Sequence, residues 1–152
     1  MLHAGESAPA FTLPDADMEM FDMASLRGKQ HAVLYFYPKD DTPGCTLEAI
    51  EFTDHDEAFA RCGCVVLGVS RDDCIRHAEF RDKHGLSVRL LADTEGEVSA
   101  QYGVWQEKSM YGKKYMGIVR SHYVIDEQGR IADIQLKVKP EESVTAALAA
   151  LG

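Results

Sequence analysis

The chain has 152 residues, 45% hydrophobic and 27% charged, with 25 acidic against 16 basic side chains and a net charge of -9. This suffices for one globular domain, residues 1–152, with a real core, and its acidity argues against nucleic acid as a partner. No stretch reaches the ~20 apolar residues of a membrane span, and MLHAGESAPAF has no signal-peptide pattern, so a cytoplasmic protein with reduced thiols and no membrane partner is expected.

In chain order, residues 1–30 carry weak signals, with short strands expected around FTLPDADMEMF (11–21). HAVLYFY (31–37) is a nearly continuous apolar run, the mark of a strand buried on both faces. CTLEAIEFTDHDEAFARC (45–62) follows at helical length, with Ala49, Phe52 and Phe59 at helix-compatible spacing. VVLGVS (65–70) is a second buried strand, and DDCIRHAEFRDKHG (72–85) reads as a helix with an Asp start and a Gly stop. SVRLLAD (87–93) is a third strand, and the β-α-β-α-β order implies parallel strands with crossover helices. IVRSHYVI and RIADIQLKV flank DEQG as an antiparallel hairpin. Pro140 opens a last helix whose Val144, Leu148 and Leu151 share one face. The expected architecture is α/β, a central mixed sheet flanked by helices. EFTDHDE (51–57) is acidic and KSMYGKKY (108–115) basic, and both read as solvated faces.

The four cysteines, Cys45, Cys62, Cys64 and Cys74, match no zinc spacing, so no metal is expected. Cys62 and Cys64 read as small hydrophobes entering a strand. Cys45 stands apart because DDTPGC introduces it. Thr42 can be the N-cap of a helix, Pro43 its first residue and Gly44 its second, which places Cys45 third. A capping-box glutamate usually sits there, where unpaired N–H groups and the helix dipole favour negative charge. A free thiol of pKa ~8.5 is only slightly ionised at neutral pH, so this turn favours a reactive thiolate. Gly44 keeps a side chain away from the sulfur and leaves room for a small substrate. The site also lies at the carboxyl end of a strand, where ligands of α/β sheets bind. A buried, unreactive cysteine after an ordinary turn is the alternative.

The pattern Pro38-x3-Thr42-x2-Cys45 resembles the active-site signature of peroxiredoxins. YFYPKDDTPGCTLEA, VWQEKSMYGKKYMGIVRS (104–121) and YVID (123–126) resemble the Q-type branch, the bacterioferritin comigratory proteins, with likeness from about residue 5 onward. The resemblance implies a thioredoxin-like fold with an N-terminal extension, and thiol-dependent reduction of hydrogen peroxide and organic hydroperoxides. No cofactor is implied, and the reductant would be thioredoxin, glutaredoxin or glutathione. The protein would be a monomer or weak dimer. Carried over, Cys45 is the peroxidatic cysteine, Thr42 bonds the peroxide, Arg120 stabilises charge and Pro38 shields the pocket. Glu48 is a candidate to orient Arg120.

Two departures stand out. Many Q-type relatives carry a resolving cysteine five residues after the peroxidatic one, where this chain has Ile50. Others place it near Arg81, which leaves Cys74 as a possible resolving cysteine without a motif match. Helix and strand lengths put Cys62 and Cys64 at the far end of the sheet from Cys45. His122 stands where relatives usually show Thr or Ser. The competing functions are a thioredoxin-like thiol–disulfide oxidoreductase, disfavoured because Thr42 replaces the first cysteine of C-x-x-C, and a non-catalytic binding or chaperone-like module with an unreactive Cys45.

Overall fold

The apolar runs become the centre of one sheet. The computed structural model describes residues 1–152. A short antiparallel pair, β1 (Thr12–Pro14) and β2 (Met20–Asp22), forms the N-terminal extension. The main sheet takes β3 (His31–Phe36), β4 (Cys64–Ser70), β5 (Arg89–Ala92), β8 (Ser121–Ile125) and β9 (Ile131–Leu136) in the order β5-β4-β3-β8-β9. β3, β4 and β5 run parallel, while β8 and β9 are antiparallel to their neighbours. The sheet is mixed, as the crossovers and the hairpin require.

Its two faces divide the core. Val33, Tyr35, Tyr37 and Val124 pack against α1 (Pro43–Asp54), α2 (Asp56–Arg61), α3 (Cys74–His84) and α5 (Ser143–Leu151) through Ala49, Phe52, Phe59, Phe80, Val144 and Ala147. Leu34, Phe36, Leu67 and Tyr123 face the opposite way, onto Phe11 and Phe21 of the N-terminal segment and Val98 and Tyr102 of the α4 region (α4, Glu97–Gln101). Alternate residues of β3 thus serve two cores, which explains its unbroken apolar run.

Helix ends follow local chemistry. The Asp73 side chain caps α3 by accepting from Arg76 N–H at 2.8 Å, and Gly85 ends it at φ 61°, a left-handed geometry glycine adopts freely. The helix expected over 45–62 breaks at His55, whose ring bonds the Glu51 carbonyl at 2.8 Å. Asp56 and Glu57 then open α2, where acids suit the dipole. Pro140 opens a 3-10 turn, Pro140–Glu142, ahead of α5 rather than the helix itself. The basic segment forms a separate hairpin, β6 (Trp105–Met110) and β7 (Lys113–Ile118). Its mostly exposed side chains lack the apolar alternation that marks a strand.

Gly68 of β4 leaves the space that Tyr35 fills: a Cβ there would lie 2.7 Å from the Tyr35 Cζ. Tyr35 stacks on Phe52 with centroids 4.7 Å apart, so the ring has nowhere to retreat. Gly68→Ala is expected to destabilise the fold by about 1–3 kcal/mol, the scale of overpacking, measured by urea unfolding; an unchanged midpoint would contradict this packing.

Candidate active site

The loop between β3 and α1 is fixed before it reaches the cysteine. Asp40 is buried, accepts from Tyr37 Oη at 2.5 Å and lies 2.7 Å from His77 Nδ1. His77 is fully buried and donates from Nε2 to the Leu91 carbonyl at 2.9 Å. The Asp40 N–H donates to Asp72 at 2.9 Å. Asp41 adopts φ 61°, a conformation Asp tolerates better than most residues. Lys83 and His84 bond its carboxylate at 2.6 and 2.9 Å and hold its pKa below the ordinary value. The loop is therefore tied to both ends of α3.

α1 begins as the sequence indicates, with Thr42 at the N-cap, Pro43 first and Cys45 third. The capping itself differs. The Thr42 hydroxyl donates to the Lys39 carbonyl at 3.0 Å and caps no helix N–H. The first bond of the helix runs from Thr46 N–H to the Thr42 carbonyl at 2.8 Å, so the N–H groups of Gly44 and Cys45 lie ahead of it. They point their partial positive charge at the Cys45 end of the helix.

Cys45 and Glu48 are three residues apart on one face of α1, both buried, and Arg120 joins them. Arg120 precedes β8 and donates from Nη1 to Glu48 Oε1 at 2.7 Å and from Nη2 to Cys45 Sγ at 3.4 Å. Burial works against the Arg120 charge, but Glu48 and Cys45 more than offset it and its pKa rises. Burial pushes the Glu48 carboxyl up to about 7, with Arg120 and the Ser143 hydroxyl pulling it down. The buried Cys45 sulfur thus lies between a fixed cation and a helix N-terminus.

Gly44 has a different use from the expected one. A Cβ there would lie 3.1 Å from Arg120 Nη2 and 3.2 Å from Pro140 Cγ. The guanidinium and Pro140 thus take up the space that a side chain at Gly44 would need. Pro38 is exposed in the turn after β3.

The other cysteines stand elsewhere. Cys64 begins β4 opposite His31, at the start of β3, and burial pushes its thiol up to about 12. Cys62 caps the end of α2 and is exposed. Cys74 opens α3 on the side of Asp15, which bridges to Leu91 of β5; burial and the Asp73 and Asp15 charges raise its pKa. Cys45 instead faces Arg120 on the β8 side. Cys45 and Cys74 are both free thiols, and a disulfide between them would need Cα atoms within ~7 Å. No three His, Cys, Asp or Glu side chains are grouped so as to hold a metal ion.

Residues missed in the sequence are Asp40, His77 and Tyr37, which hold the loop, and Ser143 beside Glu48. His77 had a usable signal, since it shares a helical face with Phe80, three residues on.

Comparison with known proteins shows the family. Residues 4–134 match the AhpC/TSA family. The chain is 42% identical over 150 residues to the peroxiredoxin Bcp of Bacillus subtilis, covering 99% of this chain and 95% of that one. It is 41% identical over 133 residues to the Escherichia coli K12 Bcp, covering 88% and 85%. Among solved structures it superposes on a Xanthomonas campestris peroxiredoxin Q with a TM-score of 0.90 and 35% identity, covering 97% and 96%. A structure of the bacterioferritin comigratory protein of the same organism, concerned with alkyl peroxide reduction, gives 0.90 and 34%, covering 98% and 97%.

Gly44→Ala would push Arg120 a few tenths of an ångström off its line between Glu48 and Cys45. It is expected to slow peroxide reduction by about tenfold, because small misplacements of catalytic groups are amplified in rate. Single-turnover kinetics with a parallel stability measurement check this, and a normal rate would show that the guanidinium adapts.

Proposed function

Because the chain belongs to the AhpC/TSA family and is a thiol-dependent peroxidase, a peroxiredoxin, we propose that Cys45 is its nucleophile and that Arg120 and Thr42 are its catalytic partners. The observation that carries this reading is the Arg120 guanidinium, bonded to Glu48 on one side and to Cys45 Sγ on the other. No second cysteine sits in the C-x-x-C position that thiol–disulfide exchange uses, since Thr42 occupies it.

The steps follow from the groups present. The thiolate attacks the nearer oxygen of hydrogen peroxide or an organic hydroperoxide in line with the O–O bond. The S–O bond forms as the O–O bond breaks, leaving a sulfenic acid and a hydroxide or alkoxide that takes a proton to leave as water or alcohol. Arg120 Nη2, already beside the sulfur, meets the negative charge growing on the leaving oxygen. Thr42 has placed its one hydroxyl proton on the Lys39 carbonyl, so its oxygen is free to accept the hydroperoxide O–H. The Cys45 N–H is a second anchor, and together they fix attack geometry.

For recovery we propose a one-cysteine mechanism. An external thiol, such as that of thioredoxin, glutaredoxin or glutathione, attacks the sulfenic sulfur and expels water. A second thiol then releases Cys45 as thiolate and leaves the reductant as disulfide. The placement of Cys74 on the β5 side supports this reading.

Peptide mapping after one equivalent of hydrogen peroxide, with and without dimedone, tests both parts. The expected product is a dimedone adduct on Cys45 and no intramolecular disulfide. An adduct confined to another cysteine would overturn the nucleophile, and a dominant Cys45–Cys74 disulfide would overturn the one-cysteine mechanism.

A further inference from the structure

The ring of His77 is wedged between two oxygen acceptors. Its Nδ1 lies 2.7 Å from Asp40 Oδ2, and its Nε2 lies 2.9 Å from the Leu91 carbonyl of β5. A carbonyl can only accept, and the other Asp40 oxygen already accepts from Tyr37 Oη at 2.5 Å. All three side chains are buried, so bulk solvent does not reach these contacts to relieve a mismatch.

Counting protons decides the state of the cluster. A neutral imidazole carries one N–H. Placed on Nε2, that proton serves Leu91 and leaves the Nδ1 lone pair facing a carboxylate oxygen. Placed on Nδ1, it serves Asp40 and leaves the Nε2 lone pair facing the carbonyl. Either tautomer sets two lone pairs against each other inside the protein, where an unmade bond is expensive. One further proton removes the conflict, because an imidazolium donates from both nitrogens. A carboxyl proton on Asp40 would give the same count, but the distances place it on the ring. Contacts of 2.7 Å from His77 and 2.5 Å from Tyr37 are those of hydrogen bonds to an ionised carboxylate. Burial and the Asp40 charge both raise the Tyr37 pKa, so its hydroxyl remains a donor.

We infer that Asp40 and His77 are positioning residues for Cys45 that work only as a protonated pair: one proton held between them inside the fold fixes the loop ahead of α1, and its loss at alkaline pH releases that loop and ends peroxide reactivity. The inference rests on the reading of Cys45 as the nucleophile. Asp40 stands two residues before Thr42 and five before Cys45, which leaves little slack between the pair and the thiol. The groups around the pair are Tyr37 and Tyr35 of β3, Asp72 after β4, Arg76 of α3 and, on the outer side, Asp41, Glu79 and Lys83. Arg76 is engaged with Asp72 at 3.0 Å and Lys83 with Asp41 at 2.6 Å. His77 is the cation at ion-pair distance from Asp40.

The sign follows from the count. The closed loop holds a proton that a released loop gives up above neutral pH, where a solvated histidine is neutral. A state that binds one more proton is weakened as pH rises, by about tenfold in its equilibrium per pH unit. Ionisation of Cys45 alone would instead raise the rate with pH to a plateau.

The test uses the full chain. The rate constant of Cys45 with hydrogen peroxide is followed from neutral to strongly alkaline pH beside 15N spectra of His77. In the wild-type protein both ring nitrogens should carry protons at mildly alkaline pH, and the rate constant should then fall by about tenfold per pH unit as the His77 proton leaves. In Asp40→Asn the amide accepts from Tyr37 and donates to Nδ1, so a neutral His77 satisfies both neighbours. There the falling limb should vanish and Nδ1 should be bare. A wild-type ring with one bare nitrogen at mildly alkaline pH overturns the shared proton. A falling limb of the same position and slope in Asp40→Asn overturns its role, as does a wild-type rate that stays level until the whole protein unfolds. If the variant does not fold, the wild-type protein decides alone: a rate that falls while the His77 proton stays, or a proton that leaves with no fall, overturns the inference. A wild-type Cys45 that reacts with peroxide at no pH overturns instead the reading on which it rests.

Discussion

One guanidinium organises the site. Arg120 is shared between a buried carboxylate and a buried sulfur on the same helical face, at 2.7 and 3.4 Å. Each anion alone would be costly to bury, and a cation between them compensates both. The pairing also fixes direction, since a planar guanidinium bonded at Nη1 has its Nη2 position determined. In the proposed mechanism the positive charge is therefore in place beside the sulfur before a peroxide arrives, and needs no reorganisation during the reaction.

Much of the surrounding structure can be read as what this sharing requires. Gly44 and Pro140 border the space the guanidinium occupies. β8 supplies Arg120 from its leading edge while β3, its antiparallel neighbour, delivers the loop that ends in Cys45. That loop is held by Asp40, His77 and Tyr37 inside the protein and by the Asp41 contacts with Lys83 and His84 at its surface. α3 contributes no reacting atom, yet it holds the turn that presents the thiol. α5 adds Ser143, whose hydroxyl pairs with His122 Nδ1 of β8 at 2.9 Å.

The sequence made the backbone of this arrangement legible where one physical signal dominated. The unbroken apolar run of 31–37, the Asp and Gly ends of α3 and the DEQG hairpin each point to a single structure. Thr-Pro-Gly showed where α1 starts and which residue its N-terminus would favour. It did not show that Thr42 would bond Lys39 instead of capping, because a hydroxyl chooses among partners that only the folded loop supplies. Gly44 was legible as a need for space, but its occupant, Arg120, lies 76 positions away in the chain. Asp40 and His77 were illegible for the same reason: each looks like one more polar residue until the fold buries both. The β6–β7 hairpin carries no apolar alternation, since most of its side chains face solvent.

The most direct measurement of the central claim is the stopped-flow rate constant of Arg120→Met with hydrogen peroxide, taken where Cys45 is fully ionised. If the shared guanidinium carries the chemistry, the rate constant falls by ~100-fold or more, the scale of losing one preorganised donor, while the protein stays folded. An unchanged rate constant would contradict the claim and move the source of the reactivity to the helix N-terminus alone.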